Sequence, residues 1–297
     1  MSITEKLDLA IKLKETGTTS GAYTVLHNGK ELKKEAYMTN SEWVDFLSKM
    51  TPSAKEEYKK GDGDELSEKN GRPPKMASYG SSSRMIYNLS HGCNGFSFEK
   101  QLSTTVGGKA NLDGFCEKDN RYIFVEAKCH EIYAKQNVSV SKKYQKLYEY
   151  INEHMLGELF IGMTENEHNN KINAEFFAYE EKLDYLDLKQ MICHLLGIAT
   201  GLLKGELKEK QIDFIYLLFD PTELEIEEKA KEKIDEIYER TCYECNLVDF
   251  ATLFRVILEF LIANYFENSH LAKRIDDIIC KFVFSLASQD FYPVLIQ

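Results

Sequence analysis

Apolar positions recur along the chain with two periods. The stretch "DLKQMICHLLGIATGLLKG" (187–205) repeats them every three to four residues and ends in glycine, which predicts an amphipathic helix. "SSSRMIYNLSHG" (81–92) reads as a capped helix stopped at Gly92, and "SKKYQKLYEYINEHM" (141–155) as a further helix. "ELFIGM" and "INAEFFAY" have the length of short strands, while the unbroken run "IDFIYLLFDP" (212–221) predicts a strand buried on both faces, in parallel with a central one. Upstream, residues 1–50 predict a helix, a "HNGKEL" turn between possible strands, and a helix capped by Asn40 or Ser41. Gly, Pro and charge concentrate in "KKGDGDELSEKNGRPPKMASYG" (59–80), marking a linker or long loop. From Thr222 to Gln297 the pattern is mostly helical. Its most apolar part, "LVDFATLFRVILEFLIANYF", is interrupted by Asp249, Arg255 and Glu259, which favours a buried helix over a membrane span.

The fold class expected from this order is α/β with a mixed sheet: helix, antiparallel strands, helix, strand, then helices. Three stretches are expected: a mostly helical region with linker (1–78), a core (79–221) and a C-terminal helical extension packed on it (222–297). At 297 residues and 43% hydrophobic content the chain can bury a substantial core. The acidic, interrupted start "MSITEKLDLAIKLKETG" does not read as a signal or transit peptide, and seven scattered cysteines suit a reducing compartment, so a cytoplasmic location is expected. Cys242 and Cys245 form a lone C-x-x-C, better read as helix thiols than as a zinc site.

A net charge of −11 argues at first against nucleic acid. Much of the acid, however, lies in "ELEIEEKAKEKIDEIYER" (223–240), which reads as the solvated face of one helix. Residues 128–146 carry Lys128, Lys135, Lys142, Lys143 and Lys146 against a single acid, Glu131. This segment is either ordinary surface or a phosphate-facing patch, with Lys135, Lys142 and Lys143 as its candidate contacts.

The chemistry concentrates in "ANLDGFCEKDNRYIFVEAK" (110–128). Glu-x-Lys alone is a weak signal, because it also occurs at Glu31, Glu57, Glu180, Glu206 and Glu227 in polar surroundings. At Glu126 it ends an apolar strand. If Asp119 and Asn120 are the central residues of a hairpin turn, Lys118 faces Arg121, Cys116 faces Ile123 and Asp113 faces Glu126. Asp113, Glu126 and Lys128 then emerge on one face, and Leu112, Cys116, Ile123, Val125 and Ala127 form the apolar face opposite. Two opposed carboxylates repel unless a cation lies between them, and Mg²⁺ takes hard oxygen ligands of this kind. Lys128 is placed to orient or deprotonate a water, or to stabilise charge on a phosphate. The alternative is a surface salt bridge.

With Asp113 as an isolated acid and "EAK" at 126–128, the chain resembles the PD-(D/E)xK nuclease superfamily, with its restriction-endonuclease-like fold. The likeness covers roughly residues 81–221 in element order, with Leu112 where many members carry proline. It implies a nuclease that hydrolyses phosphodiesters, most plausibly of DNA, and that uses Mg²⁺ or alternatively Mn²⁺. The implied ligands are Asp113, Glu126 and the Ala127 carbonyl, and "FSFEKQL" adds Glu99 as a further metal or water ligand. "DLKQMICHLLG" resembles the family's glutamine motif, which makes Gln190 an assisting residue, with His194 where a tyrosine is usual. Arg84, in the first turns of a helix, is a candidate phosphate contact. Two other readings stay open: an inactive nucleic-acid-binding module of the same fold, and an interaction protein that uses its C-terminal helices. Homo-oligomerisation is also left open.

Overall fold

The computed structural model describes residues 1–61, 65–133, 138–166, 170–267 and 270–287. Helix α1 (Ile3–Thr16) starts in a reciprocal cap, in which the Ser2 hydroxyl accepts the Glu5 amide and the Glu5 carboxylate accepts the Ser2 amide. Strands β1 (Tyr23–His27) and β2 (Lys30–Lys34) form the hairpin expected around "HNGKEL", with Asn28 and Gly29 both at positive φ in its two-residue turn. The cap of α2 (Asn40–Lys49) is Thr39, one residue ahead of the expected Asn40 or Ser41, because Glu42 completes a capping box with Thr39. Helix α3 (Pro52–Lys60) runs up to the start of the stretch expected as a linker, nucleated by the Thr51 cap and a proline in its first turn. Helix α4 (Ser82–Ser90) is capped by Ser81 and gives way at His91.

Strands β3 (Phe96–Ser103), β4 (Lys109–Lys118) and β5 (Arg121–Lys128) are antiparallel neighbours. Their register is the expected one, with Lys118 opposite Arg121, Cys116 opposite Ile123, and Asp119 at φ 51° in the turn. A smaller sheet follows, in the order β6 (Ser139–Ser141), β8 (Lys171–Ala178), β7 (Leu159–Asn166). Helix α5 (Gln145–His154) lies between β6 and β7 in sequence, and the short β9 (Glu181–Lys182) pairs with β8. The chain then forms α6 (Leu188–Leu203) and returns to the main sheet as β10 (Gln211–Phe219), parallel to β5 as expected. Helices α7 (Glu228–Leu247) and α8 (Phe250–Tyr265) come next. Strand β11 (Cys280–Ala287), where helix was expected, pairs in parallel with β10. A short apolar run such as "CKFVFSLA" suits either element, and the open edge of β10 decides it. The main sheet is thus mixed, ordered β11-β10-β5-β4-β3.

Successive residues of β5 feed two apolar clusters. Tyr122 and Phe124 pack with Leu195 of α6 and Phe254 of α8, while Ile123, Val125 and Ala127 pack with Ile86 of α4, Leu7 of α1 and Ile234 of α7. The N- and C-terminal stretches therefore pack on the sheet. Helix α6 comes so close to β4 that a Cβ on Gly197 would sit 2.6 Å from that of Ala110. The expected apolar face needs one correction: Leu112 packs in the cluster of Phe124, apart from Cys116 and Ile123. The β3–β4 ladder skips the Glu99/Asp113 position between Phe98–Gly114 and Lys100–Leu112. Glu99 there has φ 51°. The irregularity redirects the side chains on either side, so Phe98 and Cys116 belong to one cluster and Leu102, Ala110 and Leu112 to the other.

Candidate active site

The break that moves Leu112 also places Asp113 beside the end of β5. Asp113 Oδ2 accepts the Ala127 amide at 2.7 Å, one step beyond the last ladder pair, Gly114–Val125. On the α6 side of β5 the period-two alternation continues past Tyr122 and Phe124 into Glu126 and Lys128. These two meet residues four apart on α6: Lys128 Nζ donates to the Gln190 amide oxygen Oε1 at 2.6 Å, and His194 Nε2 lies 2.9 Å from Glu126 Oε2. Lys128 Nζ is also 2.8 Å from Glu126 Oε1. Strand spacing and helix spacing thus bring two pairs together.

Burial gives these charges their force. Glu126 is 1% exposed, His194 2% and Lys128 8%. Burial opposes ionisation of Glu126, but Lys128 and His194 more than offset it and hold the carboxyl down at about 2. Asp113 goes the other way, raised well above the ordinary carboxylate range by burial and then by the charge of Glu126, with Lys128 only partly compensating. For Lys128 burial favours the neutral amine, yet Glu126, Glu131 and Asp113 raise it above the ordinary lysine value, so it stays protonated. The approach of His194 to Glu126 is close but poorly aligned: among the described residues, Glu126 Oε2 and both ring nitrogens of His194 are buried without a hydrogen bond of normal geometry. The neighbouring Tyr216 hydroxyl, from the residue of β10 paired with Glu126, is likewise buried and unmatched among the described residues.

Asp113, Glu126, Lys128, Gln190 and Glu99 line one cleft of about 390 Å³. Glu99 reaches it from β3 at the ladder break, with its carboxylate against Gly61, rather than from a helix. The other candidates are placed elsewhere. Arg84 is buried, bound through both terminal nitrogens to Glu15 and stacked on Tyr79, and does not line the cleft. Lys142 pairs with Glu165 at 3.2 Å, and Lys143 donates to the Gly107 carbonyl and lies over the Tyr144 ring. Lys135 falls outside the described residues. Glu131, adjacent in sequence to the motif, accepts the Cys129 amide and the Ser82 hydroxyl, both at 2.7 Å, and so ties the end of β5 to α4.

One pair in the cleft wall has no counterpart in the sequence reading. His130 Nδ1 lies 2.9 and 3.0 Å from the two carboxylate oxygens of Asp8, from α1. The only sequence signal is an acid next to Leu7 on the buried stripe of an amphipathic helix.

No protein-family model, curated protein or solved structure matches the chain. Among the described residues, no group of three or more His, Cys, Asp and Glu side chains is arranged to hold a metal ion, the cysteines are free thiols, and no helix is long and apolar enough to cross a membrane. The fold and the cleft define a mixed α/β protein in which Glu126 and Lys128, buried at the end of β5, share a cleft with the half-buried Asp113 of β4.

Proposed function

We propose that this protein is a metal-dependent nuclease with a restriction-endonuclease-like core, acting on the phosphodiester backbone of DNA. The observation that carries the reading is the convergence of Asp113, from the middle of β4, with Glu126 and Lys128, from the end of β5, on one cleft. The order of α4, three antiparallel strands, α6 and the parallel β10 supports it, since this is the order the resemblance implies, with α5 and the smaller β6–β9 sheet inserted ahead of α6.

The donor set suits a hard divalent cation. Glu126 Oε2 is a buried carboxylate oxygen with no aligned hydrogen bond among the described residues, Asp113 is a half-buried carboxyl that Glu126 repels, and Glu99 lines the same cleft, with Ala127 next to Glu126 in the chain. These are oxygen ligands of the kind Mg²⁺ and Mn²⁺ prefer. When bound, such an ion supplies the positive charge that offsets the carboxylates, polarises the phosphate and activates water. Lys128, held by Gln190 and protonated, serves as a donor that orients the attacking water and stabilises charge growing on phosphate oxygens. Gln190 positions the lysine, and His194 holds Glu126 in its ionised form.

The Lys128–Glu126 ion pair at 2.8 Å, which already balances the buried carboxylate, favours a second reading, an inactive DNA-binding module of the same fold. Incubating the protein with supercoiled plasmid, linear duplex, single-stranded DNA and RNA separates the two. Cleavage with millimolar Mg²⁺ or Mn²⁺ that stops in EDTA is the result expected of the nuclease. Binding without cleavage in every metal transfers the site to the binding module.

A further inference from the structure

The nuclease reading leaves the Asp8–His130 pair unused, although His130 lines the same cleft as Asp113, Glu126 and Lys128. Three distant segments build it. Asp8 comes from the buried stripe of α1 and is 4% exposed, His130 follows the end of β5, and the Ser78 hydroxyl donates to Asp8 Oδ2 at 2.9 Å. Gly80 leaves the necessary room, since a Cβ there would lie 1.8 Å from Asp8 Oδ1 and 2.7 Å from His130 Nδ1. The carboxylate is buried beneath the ring while the imidazole keeps 30% of its side chain exposed. With Nδ1 committed to Asp8, Nε2 is the ring donor left for the cleft, and no hydrogen bond among the described residues engages it. A carboxylate behind one ring nitrogen fixes both the tautomer and the direction of the other.

We propose that the Asp8–His130 pair is a phosphate-binding subsite, in which His130 Nε2–H donates to a non-bridging oxygen of a DNA backbone phosphate adjacent to the one hydrolysed at Asp113 and Glu126. The inference rests on the nuclease reading for the chemistry of its ligand. Charge distribution supports it: among the described residues, Glu65, Glu99, Asp113, Glu126 and Glu131 line the cleft against Lys75 and Lys128, so a polyanionic strand gains from a positively polarised donor on this wall. The pair adds no net charge, but it turns its positive end to the cleft and buries its negative end. The imidazole, raised to about 9 because Asp8 and Glu131 outweigh its burial, keeps its proton at neutral pH. That suits a standing hydrogen-bond donor better than a general acid, which works best near the operating pH.

Steady-state DNA cleavage in Mg²⁺ over a range of salt tests the assignment, using wild type, His130→Gln and His130→Arg, each shown by thermal melting to be folded at the assay temperature. Loss of one phosphate contact should raise KM roughly tenfold in His130→Gln with kcat nearly unchanged, and should reduce the slope of log(kcat/KM) against log[salt] by about one. His130→Arg, which restores a cation, should recover the slope. If wild type cleaves DNA and folded His130→Gln keeps its KM and salt slope, or loses only kcat, the subsite is wrong and the nuclease reading stands. If wild type cleaves nothing, the nuclease reading fails and the subsite falls with it.

Discussion

Replacing His130 with glutamine probes how the N-terminal helix is tied to the main sheet. The imidazole is shifted from 6.5 to about 9 by the hydrogen bond and charge of Asp8, with a smaller contribution from Glu131, against the opposing effect of burial. A histidine raised in this way contributes stability that is fully present below the unfolded value and is lost as pH rises through the folded one. The window is therefore about pH 6.5 to 9. At about 1.36 kcal/mol per pH unit the interval sets a ceiling of about 3.4 kcal/mol. Because the side chain is 30% exposed, solvent screening reduces this to about 2 kcal/mol. For a chain of this length that corresponds to roughly 3 °C in melting temperature. Melting curves of wild type and His130→Gln in EDTA, at about pH 6 and about pH 10, give the double difference, in which other titrating groups cancel. The variant should melt clearly below wild type at the lower pH, and the gap should narrow at the higher. A gap independent of pH, or one that widens with pH, would refute an ionic tie between Asp8 and His130.

Asp113→Asn should raise the melting temperature in EDTA at neutral pH, by on the order of 1–2 kcal/mol of stability, because the wild-type carboxyl is raised by burial and by Glu126 and so costs stability once ionised. No gain, or a loss, in a melting experiment would count against repulsion at the site. Millimolar Mg²⁺ should stabilise wild type and leave Glu126→Gln almost unchanged, and an equal response of the two in thermal shift would remove Glu126 from the ligand set. Gly197→Ala pushes α6 away from β4, where a Cβ would meet Ala110 at 2.6 Å; it should cost about 1–3 kcal/mol in denaturant melts and reduce cleavage by displacing Gln190 and His194. Wild-type cleavage by this variant would mean that the closeness of helix and strand does not position the site.

The local parts of this structure could be read from the sequence, and the parts made by distant partners could not. The Asp119–Asn120 turn set the register of β4 and β5, and strand alternation put Glu126 and Lys128 on one face. Spacing along α6 likewise placed Gln190 and His194 together, although it did not say that they would meet Lys128 and Glu126. The shift of Leu112 to the other cluster follows from a glutamate at positive φ, which no residue type announces. Arg84 was open to a phosphate role until Glu15, 69 positions away, closed on it, and His130 gains its meaning from Asp8, 122 positions away. Strand β11 depended on a free edge of β10 that exists only after the sheet has formed.

Single-turnover cleavage of a labelled DNA duplex in Mg²⁺, with enzyme in excess, tests the central claim most directly when wild type, Lys128→Ala and Glu126→Ala are compared alongside Mg²⁺-induced thermal shifts. Lys128→Ala should lose most of the cleavage, by at least about a hundredfold, while keeping the metal response, and Glu126→Ala should lose both. Cleavage by Lys128→Ala at the wild-type rate, or metal-dependent cleavage that survives in Glu126→Ala, would contradict the assignment of hydrolysis to this cleft.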